Sequence, residues 1–157
     1  MGSVSKKTLK AELTRTLEKT LATLEAAHAD TRSAATHEEA KPENDKDTRA
    51  LEQSYLARGQ AMRIEALKAG LAALGAMSLA AMKVAGPGAL VECEDEDGQA
   101  LRYYLAPEGG GTKLSGGVQV VTPSSPVGAA LVGKKADDAL ELTLGGKKRE
   151  LTVVGVS

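Results

Sequence analysis

Eleven consecutive residues, His37-Glu38-Glu39-Ala40-Lys41-Pro42-Glu43-Asn44-Asp45-Lys46-Asp47, hold five carboxylates and two lysines. Carboxylate oxygens are the donors that Mg²⁺ takes, usually one or two from protein with the rest from phosphates and water. Held on a rigid support, such acids can complete a metal site in another macromolecule and help to activate a water. The same residues also suit a solvated connection between helices, because acids favour helix N-termini. A second stretch, Ser124-Ser125-Pro126-Val127-Gly128-Ala129-Ala130-Leu131-Val132-Gly133-Lys134, combines a Ser/Pro helix start with small residues that permit close packing.

Other chemistry is poorly supplied. Cys93 is the only cysteine, and His28 and His37 are the only histidines. No disulfide framework and no Cys/His zinc spacing exists. His28 falls on an apolar helix stripe and reads as a hydrogen-bonded seam residue. His37 lies in the acidic stretch, where either a solvated side chain or a proton-transfer role is open. The run Glu92-Cys93-Glu94-Asp95-Glu96-Asp97 lacks the calcium-loop pattern and reads as a solvated sheet edge, with Cys93 turned into the core. Gly109-Gly110-Gly111-Thr112-Lys113 lacks the Walker spacing and reads as a surface loop.

The elements that must position these residues fall into two halves. Residues 1–76 hold four of the 17 glycines, and residues 77–157 hold 13. The first half has helix composition. Leu9, Leu13, Leu17, Leu21, Leu24 and His28 recur at steps of three and four, which marks a helix from about Ser5 that fades by Ala35. Leu51, Tyr55, Met62, Leu67, Leu71 and Leu74 mark a second one, starting between Pro42 and Asn44. Asn44 with Asp47 resembles a capping box there. Two such helices joined by a few polar residues fold back as an antiparallel hairpin. Roughly 30 residues per helix gives an arm of about 45 Å that carries its tip away from the remainder.

From Gly86 onward the period becomes two. Ala89 to Glu94 and Ala100 to Leu105 form a hairpin around Asp95-Glu96-Asp97-Gly98. Val118 to Val121 is a strand and Val127 to Val132 a short helix. Leu140 to Leu144 and Arg149 to Val154 form a second hairpin around Gly145-Gly146. The expected fold class is α+β. It comprises a helical hairpin over 1–76 with its tip at 37–47, a linker over 77–85 and a small sheet domain over 86–157.

Composition limits the function. There is no Phe, no Trp and only three Tyr, so neither an aromatic-walled pocket nor a base-stacking platform can be built. A net charge of −1 gives no basic excess for general nucleic-acid binding. No 18-residue apolar run is present, and a cytoplasmic, non-membrane protein is expected.

The 124–134 segment closely resembles the signature of bacterial Gre transcript-cleavage factors, roughly Ser-Pro-Ile-Gly-x-Ala-Leu-Ile-Gly-Lys. Asp137-Asp138, Leu140 to Leu144, Gly145-Gly146 and Leu151-Thr152-Val153-Val154 continue the likeness. The resemblance implies a long coiled-coil hairpin followed by a small, antiparallel, FKBP-like β domain with one short helix. It implies RNA polymerase as partner, with indirect contact to nascent RNA and DNA. Ser124, Ser125, Pro126, Gly128 and Lys134 are the implied docking residues. The family tip reads approximately Asp-x-Ser-Glu-Asn and helps to hold the second Mg²⁺ of the polymerase. Here Ala40-Lys41-Pro42-Glu43-Asn44 stands in that place. Glu43 and Asn44 match, Ala40 replaces the acid, and Pro42 replaces the serine. A compensating acid is available from Glu39, Asp45 or Asp47, with Glu39 the first choice and Asp45 the second. No cofactor of the protein's own is implied, only a shared Mg²⁺.

Two roles at the polymerase stay open: stimulated cleavage of backtracked RNA, or channel occupancy without cleavage. The family's FKBP-like domain also raises a prolyl isomerase, but only Tyr103 and Tyr104 are available to line its pocket. A dimeric coiled-coil scaffold is weakened by Gly59 and Gly70. A monomeric accessory factor, not an enzyme, is expected.

Overall fold

A computed structural model describes residues 4–39 and 46–157. Two long helices come first, α1 (Lys6–Glu39) and α2 (Lys46–Ala76). Then follow β1 (Leu90–Glu94), β2 (Ala100–Leu105), β3 (Lys113–Leu114), β4 (Val118–Val121), α3 (Pro126–Leu131), β5 (Ala139–Leu144) and β6 (Lys147–Val156). Two compact units emerge. One comprises residues 16–72; the other joins residues 1–15 to 73–157.

In the 16–72 unit the helix seam follows from packing. Ser5, which belongs to the other unit, opens α1, its Oγ accepting the Thr8 N–H at 3.2 Å. Leu17 is buried, and Leu21, Leu24 and His28 are half-buried. The α1 stripe therefore lies where its spacing predicts. The α2 stripe does so only in its second half, where Leu67 and Leu74 are buried and Leu71 is half-buried. Ile64 and Leu67 are buried, but Leu51, Tyr55 and Met62 are 52%, 59% and 69% exposed. Stepping back from Ile64 by three and four residues reaches Gln60, Ala57, Ser54 and Gln53, all half-buried. The aliphatic end of the helix fixes its rotation, and the larger side chains at 51, 55 and 62 turn outward. His28 also departs from expectation. It lies on the seam, but its Nδ1 is buried without a hydrogen bond, as is Oε1 of Gln60.

In the other unit a six-stranded sheet runs in the order β3-β4-β2-β1-β6-β5. The expected hairpins β1–β2 and β5–β6 form as antiparallel pairs. The sheet is not wholly antiparallel, since β2 and β4 pair in parallel, Arg102 opposite Val118 to Leu105 opposite Val121. The two-residue β3 folds back on β4 as an edge strand, which makes that parallel entry possible. One face carries a core of Val91, Cys93, Tyr103, Leu105, Val121, Leu131, Leu140, Leu142, Leu151 and Val153. By alternation, Leu90, Tyr104, Val118 and Val120 point to the other face, and they too are buried. The start of α1 reaches that side: a Cβ added at Gly116 would lie 2.1 Å from Cγ2 of Val4.

The acidic run is not an edge. β1 sits between β2 and β6, and Glu92, Asp95 and Glu96 have partners. Glu92 pairs with Arg102 at 3.1 Å. Asp95 Oδ1 accepts the N–H groups of Asp97 and Gln99 at 2.9 and 2.8 Å, and Glu96 accepts that of Glu150 at 2.8 Å. The turn at Gly98 (φ 78°) is the expected one.

Candidate functional site

The 124–134 segment is built around one serine. Ser125 has an extended backbone and caps α3, with Pro126 in its first turn. Its hydroxyl donates to the Thr122 carbonyl at 2.8 Å and accepts the Gly128 N–H at 3.1 Å. Those two bonds pull the first turn of α3 onto the Thr122 carbonyl. A Cβ at Gly128 would lie 1.8 Å from that oxygen, so only glycine fits. Gly128 is buried, whereas Ser124 and Pro126 are exposed and Lys134 is half-buried. After α3, Gly133 N–H donates to Ala85 O and Ala85 N–H donates to Lys134 O, both at 2.8 Å. The Gly-Lys pair thus ties the segment to residue 85 by its backbone, while Ser124 and Pro126 stay exposed.

Among the acidic candidates, Glu39 is the last residue of α1. Glu43, Asn44 and Asp45 lie outside the described residues, as do Ala40, Pro42 and the Asn44 half of the expected capping box. Among the described residues no group of three or more His, Cys, Asp or Glu is arranged to hold a metal.

The remaining chemical groups are quiet. Burial pushes the Cys93 thiol up to about 11, which leaves it protonated and inert at neutral pH. Tyr103 and Tyr104 are both buried on opposite faces of β2 and do not share a wall. Burial pushes the Tyr104 hydroxyl up to about 12. In the glycine loop, Gly111 N–H donates to Val120 O at 2.8 Å and Thr112 N–H to Gly109 O at 3.1 Å. Those amides are spent internally and are not presented to a phosphate. Among the described residues no helix is long and apolar enough to cross a membrane.

Sequence reading missed three ties from the start of α1. Lys10 Nζ donates to the carbonyls of Gly75 and Met77 at 2.9 and 2.8 Å, capping the end of α2. Lys6 Nζ donates to Ala80 O at 2.6 Å, and burial lowers its pKa. Glu12 accepts from Ser115, from its N–H at 3.0 Å and from its hydroxyl. The only local signal was Ser/Gly chemistry at 115–117.

The side-chain hydrogen bond from Ser115, then its backbone N–H, holds the Glu12 carboxyl below its ordinary value of 4.5. A depressed folded pKa stabilises above the unfolded value and is lost as pH falls through the folded one. Glu12→Gln should therefore cost stability at neutral pH, by about 0.2–1 kcal/mol for so exposed a pair. The gap from wild type should close as pH falls below 4.5. Urea titrations at pH 7 and pH 3 measure it; a gap independent of pH would remove the charge from the account.

A helical hairpin with a small mixed sheet domain, whose Ser/Pro-capped short helix is pinned to a preceding carbonyl, defines a two-part α+β protein. Residues 80–157 match the family described as transcription elongation factor, GreA/GreB, C-term, and through this domain the chain belongs to the Gre family. The chain is similar to Thermus aquaticus Gfh1, at 23% identity over 90% of this chain and 92% of that one, with a TM-score of 0.42. It is also similar to the GreA factor homolog 1 (Gfh1) protein of Thermus thermophilus, at 18% identity over 92% and 94%, TM-score 0.41. A third likeness is to the elongation factor GreA/GreB from Nitrosomonas europaea, at 24% identity over 48% of this chain and 61% of that one, TM-score 0.39. No curated protein matches the chain.

Proposed function

We propose that the chain binds RNA polymerase at its secondary channel and acts on backtracked complexes, with the hairpin over 1–76 reaching the active centre and the domain over 86–157 docking at the rim. The observation that carries this reading is the family match over 80–157 together with the built 124–134 segment. In this reading Ser124, Pro126 and Lys134 are the docking residues. Ser125 and Gly128 hold their backbone. Glu43, with Asn44 beside it and Glu39 or Asp45 as second acid, serves the tip. Carboxylates are the donor set that Mg²⁺ prefers, and a shared ion would supply an activated water there. The protein's contribution is to position the acids.

Ala40, in place of the family's acid, favours a second reading in which the chain occupies the channel without stimulating cleavage. Transcript lengths on a stalled, backtracked complex separate the two. Under the first reading Glu43→Ala binds polymerase as wild type does but loses cleavage by about 10-fold or more, and Ala40→Asp gains it. If neither substitution changes the transcripts while binding persists, occupancy alone is the mechanism. Exchange of Ser124 and Pro126 for glutamate should weaken polymerase binding with the fold intact; unchanged affinity moves the docking face elsewhere.

A further inference from the structure

The outward rotation of α2 leaves it apolar on two sides. At about 100° per residue, Leu51, Tyr55, Met62, Ala66 and Ala69 fall within a sector of about 60°, nearly opposite the seam residues Ile64 and Leu67. All five are exposed. A solvent-facing helix normally reserves that side for charge. Here the charged residues only flank the stripe, Arg58 and Glu65 on one side and Glu52 and Arg63 on the other. Arg58 lies over the Tyr55 ring, 5.8 Å from its centre. Glu65 forms an exposed 3.7 Å pair with Lys68.

We propose that this stripe is a self-association surface on which α2 packs antiparallel against α2 of a second copy, with Met62 at the twofold axis. The stripe is complementary to itself rather than to a generic partner. Its first half is large and its second half small. Centred on Met62, the antiparallel crossing sets Tyr55 of each copy against Ala69 of the other, and Arg58 against Ala66. Gly59, whose added Cβ would meet nothing within 4 Å, leaves room beside the axis. In antiparallel helices the same flank of each copy faces the other, so Arg58 of one copy comes beside Glu65 of the other, and the pair occurs twice. A parallel crossing would place like charges and large residues together. The stripe is narrow and its ion pairs are exposed, so the dimer is weak, on the order of 10 µM. It replaces the monomer expected from Gly59 and Gly70.

Sedimentation velocity across a concentration series tests it on the full chain. Wild type should pass from monomer to dimer. Arg58→Glu and Glu65→Arg should each weaken the dimer by about tenfold or more, and the double exchange should restore it. Met62→Cys should cross-link copy to copy under mild oxidation, without competition from the buried Cys93. These side chains are exposed, and circular dichroism confirms that the variants stay helical. A protein still monomeric at about 1 mM overturns the proposal. So does a dimer indifferent to the single exchanges, one not restored by the double exchange, or one that fails to cross-link at position 62.

Discussion

Gly128→Ala should destabilise the sheet-bearing unit by about 3 kcal/mol or more, one of the largest effects available to a single methyl group in this chain. The new Cβ would lie 1.8 Å from the Thr122 carbonyl oxygen and 2.6 Å from its carbon. Neither belongs to a flexible side chain that can swing aside. Relief requires α3 to lift by more than an ångström. That breaks the Ser125 hydroxyl bond to Thr122 O and withdraws Leu131, fully buried, from the core. Urea unfolding followed by far-UV circular dichroism measures the loss. Ala129→Ser, on the exposed side of the same helix, should stay within about 0.5 kcal/mol. A Gly128→Ala protein as stable as wild type would mean that the close approach is not there. For the same reason, Gly128 substitutions report on folding before they report on any partner.

Leu13→Ala should cost about 2–5 kcal/mol, and the loss should be felt in the sheet. Leu13 lies on α1, yet residues 1–15 belong to the same compact unit as residues 73–157, and Leu9, Leu13, Leu74 and Tyr104 are all fully buried there. Hydrogen exchange should accelerate at the amides of β2 and β4, about 90 to 110 residues away in sequence. Leu21→Ala, half-buried, should cost less and leave the β2 and β4 amides protected. Unchanged exchange in the sheet after Leu13→Ala would detach the first turns of α1 from that unit.

How legible the fold was depends on the range of the forces that set each part. β2 and β4 run over the expected residues, Ala100–Leu105 and Val118–Val121, because their alternation is a local consequence of burying side chains on a pleated sheet. The parallel pairing of β2 with β4 was illegible, since periodicity shows which residues face inward and not the direction of the neighbour. β3, at two residues, is too short to show a period. The misread first half of the α2 stripe has a similar cause. The larger side chains at 51, 55 and 62 look like core in isolation, but rotation was set by Ile64, Leu67 and Leu74. In the candidate site, the Ser125 cap and the need for a small residue at 128 were local and readable. The ties of Lys6 to Ala80 and of Glu12 to Ser115 span 74 and 103 residues and left no pattern in sequence.

The position of β1 has a kinetic consequence. Its one neighbour, β2, follows within a few residues, but its other neighbour, β6, occupies the last stretch of the chain. The unit also draws on residues 1–15. Helical contacts within residues 16–72 are local and can form in microseconds, while a sheet that waits for distant segments closes orders of magnitude later. During synthesis β1 and β2 therefore emerge with one strand edge open until β6 follows. The acids at the end of β1, Glu94 through Asp97, stand beside that open edge, where apolar residues would invite a neighbouring nascent chain to pair.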